Sequence, residues 1–269
     1  SLGFIPPLLP AAETQLRYCM TFETEFFFPE KSSEGTASLF GAYAWDPTAN
    51  DFACADPATK TETGDFQVFA EGFTHDFFEG AKFILKVRLG DNEYTVESPM
   101  IDEVYADTKW SFAVVVQGPL PGYQGGINSS FDTAPTFFKL IGCQTDAGTV
   151  INEFSVQVQA ENPEGLKLTK SSLKCYLGAT RQVNSVPTFD PSVQPNFLCN
   201  ANPGYYRVWA SSLNENEVRQ HGIKPINYGV DNPMFSVLSI EFGTEQNPDP
   251  DKNVMIPKAE TLMLNWEFG

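Results

Sequence analysis

Residues 17–52 read RYCMTFETEFFFPEKSSEGTASLFGAYAWDPTANDF. Polar Thr21, Glu23 and Glu25 alternate with Tyr18, Met20, Phe22 and Phe26. Successive side chains of a strand point to opposite faces, so this pattern predicts one buried face and one wet one. Pro29 closes the run, Lys31 to Gly35 has turn chemistry, and Thr36 to Trp45 is a second, small and apolar run. Asp46-Pro47 and Asn50-Asp51 end it in an acidic loop. The stretch therefore predicts two long strands joined as a hairpin, and an all-β fold around them.

The rest of the chain agrees with that class. The 269 residues include 23 Phe, 20 Gly and 20 Pro, a mixture suited to many short strands with frequent turns. Strands are predicted at Asp65–Ala70, Ala81–Leu89, Glu93–Glu97, Lys109–Gln117, Thr136–Cys143 and Gly148–Gln159. Further strands are expected at Ser172–Leu177, Asn196–Asn200, Tyr205–Ala210, Phe235–Phe242 and Thr261–Phe268. The alternation slips near Ile151, which reads as a bulge or a change of register. No segment beyond about two turns has a helical period. No stretch reaches the roughly 20 apolar residues of a membrane helix. The opening SLGFIPPLLP lacks a basic flank and is broken by prolines, so it does not read as a signal peptide.

Charge divides the chain. Residues 1–164 hold 8 basic and 24 acidic residues, and residues 165–269 hold 9 and 10. Glu161-Asn-Pro-Glu-Gly165 breaks the chain at the same place. Both signals predict a boundary, with units at 1–162 and 166–269 and a hinge at 163–165. A net charge of −17 argues against direct nucleic-acid binding. The five cysteines form no C-x-x-C pair and read as free buried thiols.

Few residues suggest chemistry. No nucleophile elbow or phosphate loop is present; Gly122-Tyr-Gln-Gly125-Gly126 lacks the Lys-Ser/Thr such a loop needs. His75 reads as part of an aromatic loop and His221 as exposed. Glu23 and Glu25 share a strand face and could in principle serve a glycosidase, but a solvated polar face explains them. Asp46, Asp51 and Asp56 follow a strand in one loop and are a candidate Ca²⁺ site; the ion takes 6–8 oxygens, so a neighbouring subunit would complete it. The loops at 184–195 and 213–228 are candidate recognition surfaces.

The order of features resembles the shell domain of tombusvirus- and nodavirus-like icosahedral coat proteins. FIPPLLP precedes an aromatic strand ending in Phe-Pro. GTASLFGAYAWDPTANDF follows, and DAGTVINEFSVQVQAENP comes much later. The resemblance covers roughly residues 4–56 and 136–164. It implies a viral jelly-roll sandwich followed by a second, smaller protruding β-sandwich. It further implies a non-enzymatic capsid protein, assembled in the host cytoplasm into an icosahedral virion, with protruding-domain dimers and a host receptor or glycan as partners. Genome contact in that family uses a basic N-terminal arm, which these residues do not include. The family's calcium site has closer aspartates than Asp46, Asp51 and Asp56. Two alternatives stand beside this reading: a secreted carbohydrate-binding β-sandwich, and an isolated viral spike domain.

Overall fold

The computed structural model describes residues 4–5, 19–30, 35–45, 66–75, 78–89, 92–117, 136–160, 172–178, 199–209, 211–225, 235–239, 253–257 and 262–268. They form an all-β sandwich with one helix, the class expected from the sequence. The elements are β1 (Phe4–Ile5), β2 (Cys19–Phe28), β3 (Thr36–Trp45), β4 (Phe66–His75), β5 (Phe78–Leu89), β6 (Asn92–Glu97), β7 (Thr108–Gln117), β8 (Thr136–Asp146) and β9 (Thr149–Ala160). They continue with β10 (Ser172–Leu177), β11 (Asn202–Trp209), α1 (Glu215–Ile223), β12 (Phe235–Ser239), β13 (Asn253–Pro257) and β14 (Leu262–Glu267). The first sheet has the order β1-β10-β3-β4-β5-β6, the second β14-β11-β2-β7-β8-β9, and β12 pairs with β13 alone.

The two strands of residues 17–52 do not form a hairpin. β2 pairs with β7 and β11 in the second sheet, and β3 pairs with β4 and β10 in the first. They face each other across the core, because each brings an apolar row that the other can cover. Met20, Phe22, Phe26 and Phe28 from β2 and Phe40 and Ala42 from β3 lie in one buried cluster.

Aromatic rings tie the sheets together. Phe22 and Phe66 meet with ring centroids 4.8 Å apart, and Phe83 and Phe112 at 4.7 Å. Phe83 also touches Trp110 at 5.3 Å and stacks on Phe154 at 5.6 Å. Fully burying one such ring stabilises by about 1.5–3 kcal/mol.

Connectivity is mostly local within each sheet. β3 to β6 form one meander and β7 to β9 another. β10 then returns beside β3, so β10-β3-β4-β5 has the strand order of a Greek key. A jelly roll instead sends most successive strands to alternate sheets; here only the junctions β1–β2, β2–β3, β6–β7, β9–β10 and β10–β11 pass between the two large sheets.

Pairing crosses the boundary expected at 163–165. β10 inserts between β1 and β3, and β11 between β14 and β2. Strands from 166–269 thus complete the sheets begun by 1–162 rather than building a separate sandwich. A composition step marks a change of surroundings, but the backbone groups of β2 and β3 still need partners, and β10 and β11 supply them.

The slip near Ile151 is a bulge. Gln144 pairs with Asn152 and Thr145 with Val150, leaving Ile151 extra and half-exposed. The adjoining two-residue turn places Ala147 at φ 46° and Gly148 at φ 79°. Positive φ at both positions suits the right-handed twist of a hairpin.

Candidate functional site

The outer face of the second sheet carries the chemistry. Register places Thr21, Glu23 and Glu25 of β2 beside Trp209, Arg207 and Tyr205 of β11, and beside Val115, Ala113 and Ser111 of β7. The row through Glu23 runs from Asn265 and Arg207 to Ala113, Ile141 and Ser155. The alternation seen in the sequence is therefore correct, but the expected wet face is not wet. Glu23 is 0% and Glu25 5% exposed.

Helix α1 is the reason. The span Leu213–Tyr228 was expected to be an exposed loop, yet Glu215–Ile223 is helical. Asn214 caps it: its side chain accepts from the Glu217 N–H at 2.9 Å, and the Asn214 N–H donates to Glu217 Oε2 at 2.7 Å. This reciprocal pair is a capping box, with Asn in the place of the usual Ser or Thr. Glu217, Val218, His221 and Gly222 face the sheet. A Cβ at Gly222 would lie 3.1 Å from Ser111 Oγ, so glycine allows the helix its close approach.

His221, expected to be exposed, is fully buried. Its Nδ1 lies 2.8 Å from Glu23 Oε1, and its ring stacks on Trp209 with centroids 5.3 Å apart. Trp209 Nε1 donates to Glu23 Oε2 at 3.1 Å. Arg207 Nη1 lies 4.0 Å from the same oxygen, and its guanidinium sits 4.0 Å over the Tyr205 ring. Arg207 also donates to Asn265 Oδ1 at 2.9 Å and to the Pro225 carbonyl. Lys109 lies 3.4 Å from Glu25 and donates to the Gly222 carbonyl at 3.1 Å.

Burial pushes the Glu25 carboxyl above its ordinary range, against the pull of Lys109. Burial, with Glu23 beside it, raises the Tyr205 phenol well above its ordinary value. At the rim, Lys139 reaches Glu215 at 2.8 Å and Arg219 reaches Glu153 at 2.8 Å. Hydrogen bonding from Lys139 pulls the Glu215 carboxyl down.

Chemically, this is a buried charged layer that joins helix to sheet. Carboxylates, an imidazole, a phenol and a guanidinium converge, but Glu23, Arg207, Trp209 and His221 are all 0% exposed. Buried charges persist where each is paired and hydrogen-bonded. Sequence reasoning singled out Glu23, Glu25 and His221 and explained each as solvated. It missed Arg207, Trp209 and the helix, although Asn214 and Glu217 spell a legible cap.

Beside the N-terminus of α1 lies an open pocket of about 190 Å³. Its floor is the row Val115, Lys139 and Gln157, with Phe137 next along β8 and Ser212, Leu213 and Asn214 along the other wall.

The remaining expected positions add little. Asp46, Asp51 and Asp56 lie outside the described residues, as does the loop at 184–195. Among the described residues, no three His, Cys, Asp or Glu side chains are grouped to hold a metal ion. His75 ends β4 opposite Phe78, in a strand rather than a loop. No helix among the described residues is long and apolar enough to cross a membrane.

No protein-family model matches the sequence, and no curated protein matches it. Among solved structures, the chain is similar to the enzymatically active domain of tailspike protein 2 of bacteriophage CBA120. The identity there is 10% and the TM-score 0.42, over 90% of this chain and 27% of that one. It is similar also to the full-length tailspike protein 2 from an Escherichia coli O157:H7 bacteriophage, at 10% identity and TM-score 0.44, over 84% and 27% of the two chains. A third likeness is to the binding domain of botulinum neurotoxin serotype C1, at 7% identity and TM-score 0.36, over 81% and 39%. The chain thus spans about a quarter to two fifths of these proteins' lengths. Likeness at this level assigns neither family nor activity.

Proposed function

We propose that the chain is a structural protein of a small non-enveloped virus, a β-sandwich that assembles with copies of itself into a closed particle and presents loops to the host. The viral setting rests on the sequence resemblance over roughly residues 4–56 and 136–164. The structural character rests on one observation. Glu23, Glu25 and His221, which could have done acid–base work, are sealed beneath α1 and knit that helix to the sheet. Such charges hold elements together and meet no substrate, so the proposed role is not enzymatic.

A protruding unit built from 166–269 alone is not carried into this proposal, because β10, β11 and β14 complete the two main sheets. Calcium at Asp46, Asp51 and Asp56 remains part of it, with ligands from a second copy. The virion is the proposed location.

A carbohydrate-binding sandwich is the second reading, favoured by the pocket beside α1. Electron microscopy and sedimentation of the purified full chain decide between them. Closed shells of one size support the capsid reading. Monomers refute it, as do small oligomers of fixed number, which would match a spike. If shells form, removing calcium with EDTA should lower their melting temperature; an unchanged temperature would sink the metal.

A further inference from the structure

We infer that the pocket beside the N-terminus of α1 is a subsite for one neutral sugar ring. It rests on the attachment half of the proposal above and names the ligand class for it. The lining supplies what a pyranose needs. Phe137 is a half-buried aromatic side chain, and rings of this kind stack on the apolar faces of ligands. Gln157 offers an exposed amide, and Asn214 a half-buried one. The Asn214 Oδ1 is taken by the Glu217 N–H, which fixes the amide in place and leaves its NH₂ as the donor. Val115 and Leu213 close the base with apolar surface. Three of the seven lining side chains are apolar and four are polar, a mixture suited to a ring whose faces are apolar and whose edge carries hydroxyls.

Size limits the ligand to a single ring. Sites for drug-sized molecules run to roughly 300–1,000 Å³, and this pocket holds about 190 Å³.

Charge selects a neutral one. Lys139 is the cation in the lining, and Glu215 already holds it at 2.8 Å. The first turn of α1 carries Glu215 and Glu217, which occupy the positive end of the helix. An acidic sugar would have to displace Glu215 from Lys139.

The site is preorganised by elements distant in sequence. Val115, Lys139 and Gln157 are cross-strand partners on β7, β8 and β9. Ser212 and Leu213 are held by the Ser212 hydroxyl donating to the Val116 carbonyl at 3.4 Å and by the Leu213 N–H donating to Thr21 Oγ1 at 3.0 Å.

The test is saturation-transfer NMR on the full chain with separate neutral hexoses, N-acetylhexosamines and uronic acids. Transfer to at least one neutral ring is expected. Phe137→Ala should weaken it by about tenfold, as loss of a stacked ring does. Gln157→Ala, at an exposed edge-strand position that leaves folding intact, should weaken it too. Glu215→Gln frees Lys139 and should shift preference toward a uronic acid. No transfer to any neutral ring overturns the inference, and so does transfer that persists in both Phe137→Ala and Gln157→Ala. Particle formation is scored separately by microscopy, so shells without sugar binding refute this inference alone, and sugar binding without shells refutes the capsid reading alone.

Discussion

Replacing Glu23 with alanine tests whether the outer face of the second sheet is a solvated surface or a buried charged layer. On a wet face the change would fall within about ±0.5 kcal/mol. The structure sets a different scale. Glu23 accepts from Trp209 Nε1 at 3.1 Å, pairs with His221 at 2.8 Å and lies 4.0 Å from Arg207, all with no solvent exposure. Its removal strands the Trp209 and His221 donors, each at about 1–3 kcal/mol, and unbalances a buried cation. Removing one partner of a buried pair costs about 3–5 kcal/mol, and we expect Glu23→Ala to fall there. Urea unfolding followed by tryptophan fluorescence is the assay. With a slope near 3 kcal/mol/M, the midpoint should fall by about 1–2 M. His221→Ala in the same background should add less than it does alone, since the two residues share one interaction. A Glu23→Ala midpoint within experimental error of the parent would refute the buried-layer account.

Gly41→Ala should destabilise by about 1–3 kcal/mol, because a Cβ there would lie 2.6 Å from the Phe66 carbonyl oxygen on the paired strand; thermal unfolding reads it, and an unchanged melting temperature contradicts the packing. The thiols of Cys143 and Cys199 are pushed up to about 11 and that of Cys175 to about 12 by burial. At pH 8 they should resist iodoacetamide in the native chain and react once it is unfolded, as peptide mass spectrometry would show. Glu25→Gln carries a pH signature. The folded carboxyl sits above its unfolded value because burial opposes its charge. Its ionisation therefore costs stability, and the cost appears as pH rises from the unfolded value through the folded one. The stability of Glu25→Gln relative to the parent should be greater at pH 7 than at pH 4, and a difference of the opposite sign would contradict the burial argument.

Several features of the fold were legible without tertiary information. Alternation along β2 identifies Met20, Phe22 and Phe26 as core and Thr21, Glu23 and Glu25 as the opposite face, because a strand has a two-residue period whatever surrounds it. The irregularity at Ile151 is visible in the sequence for the same reason, and the strand pairing makes it a bulge rather than a change of register. The cap at Asn214 and Glu217 is equally local, and its signature can be read in four residues. Such features depend only on neighbours along the chain.

What covers each face is decided by segments far away in sequence, and no local pattern carries it. Glu23 looks solvated until His221, Trp209 and Arg207, some 185–200 residues later, close over it. Thr36–Trp45 looks like the hairpin partner of Cys19–Phe28 until Ser172–Leu177 and Asn202–Trp209 take the neighbouring positions in opposite sheets. The sequence by itself determined that this is a two-faced β protein and which residues lie on each face. Only the tertiary structure decided that the polar face of β2 is an interior, because the free energy of burying a charge depends on the partners that arrive there.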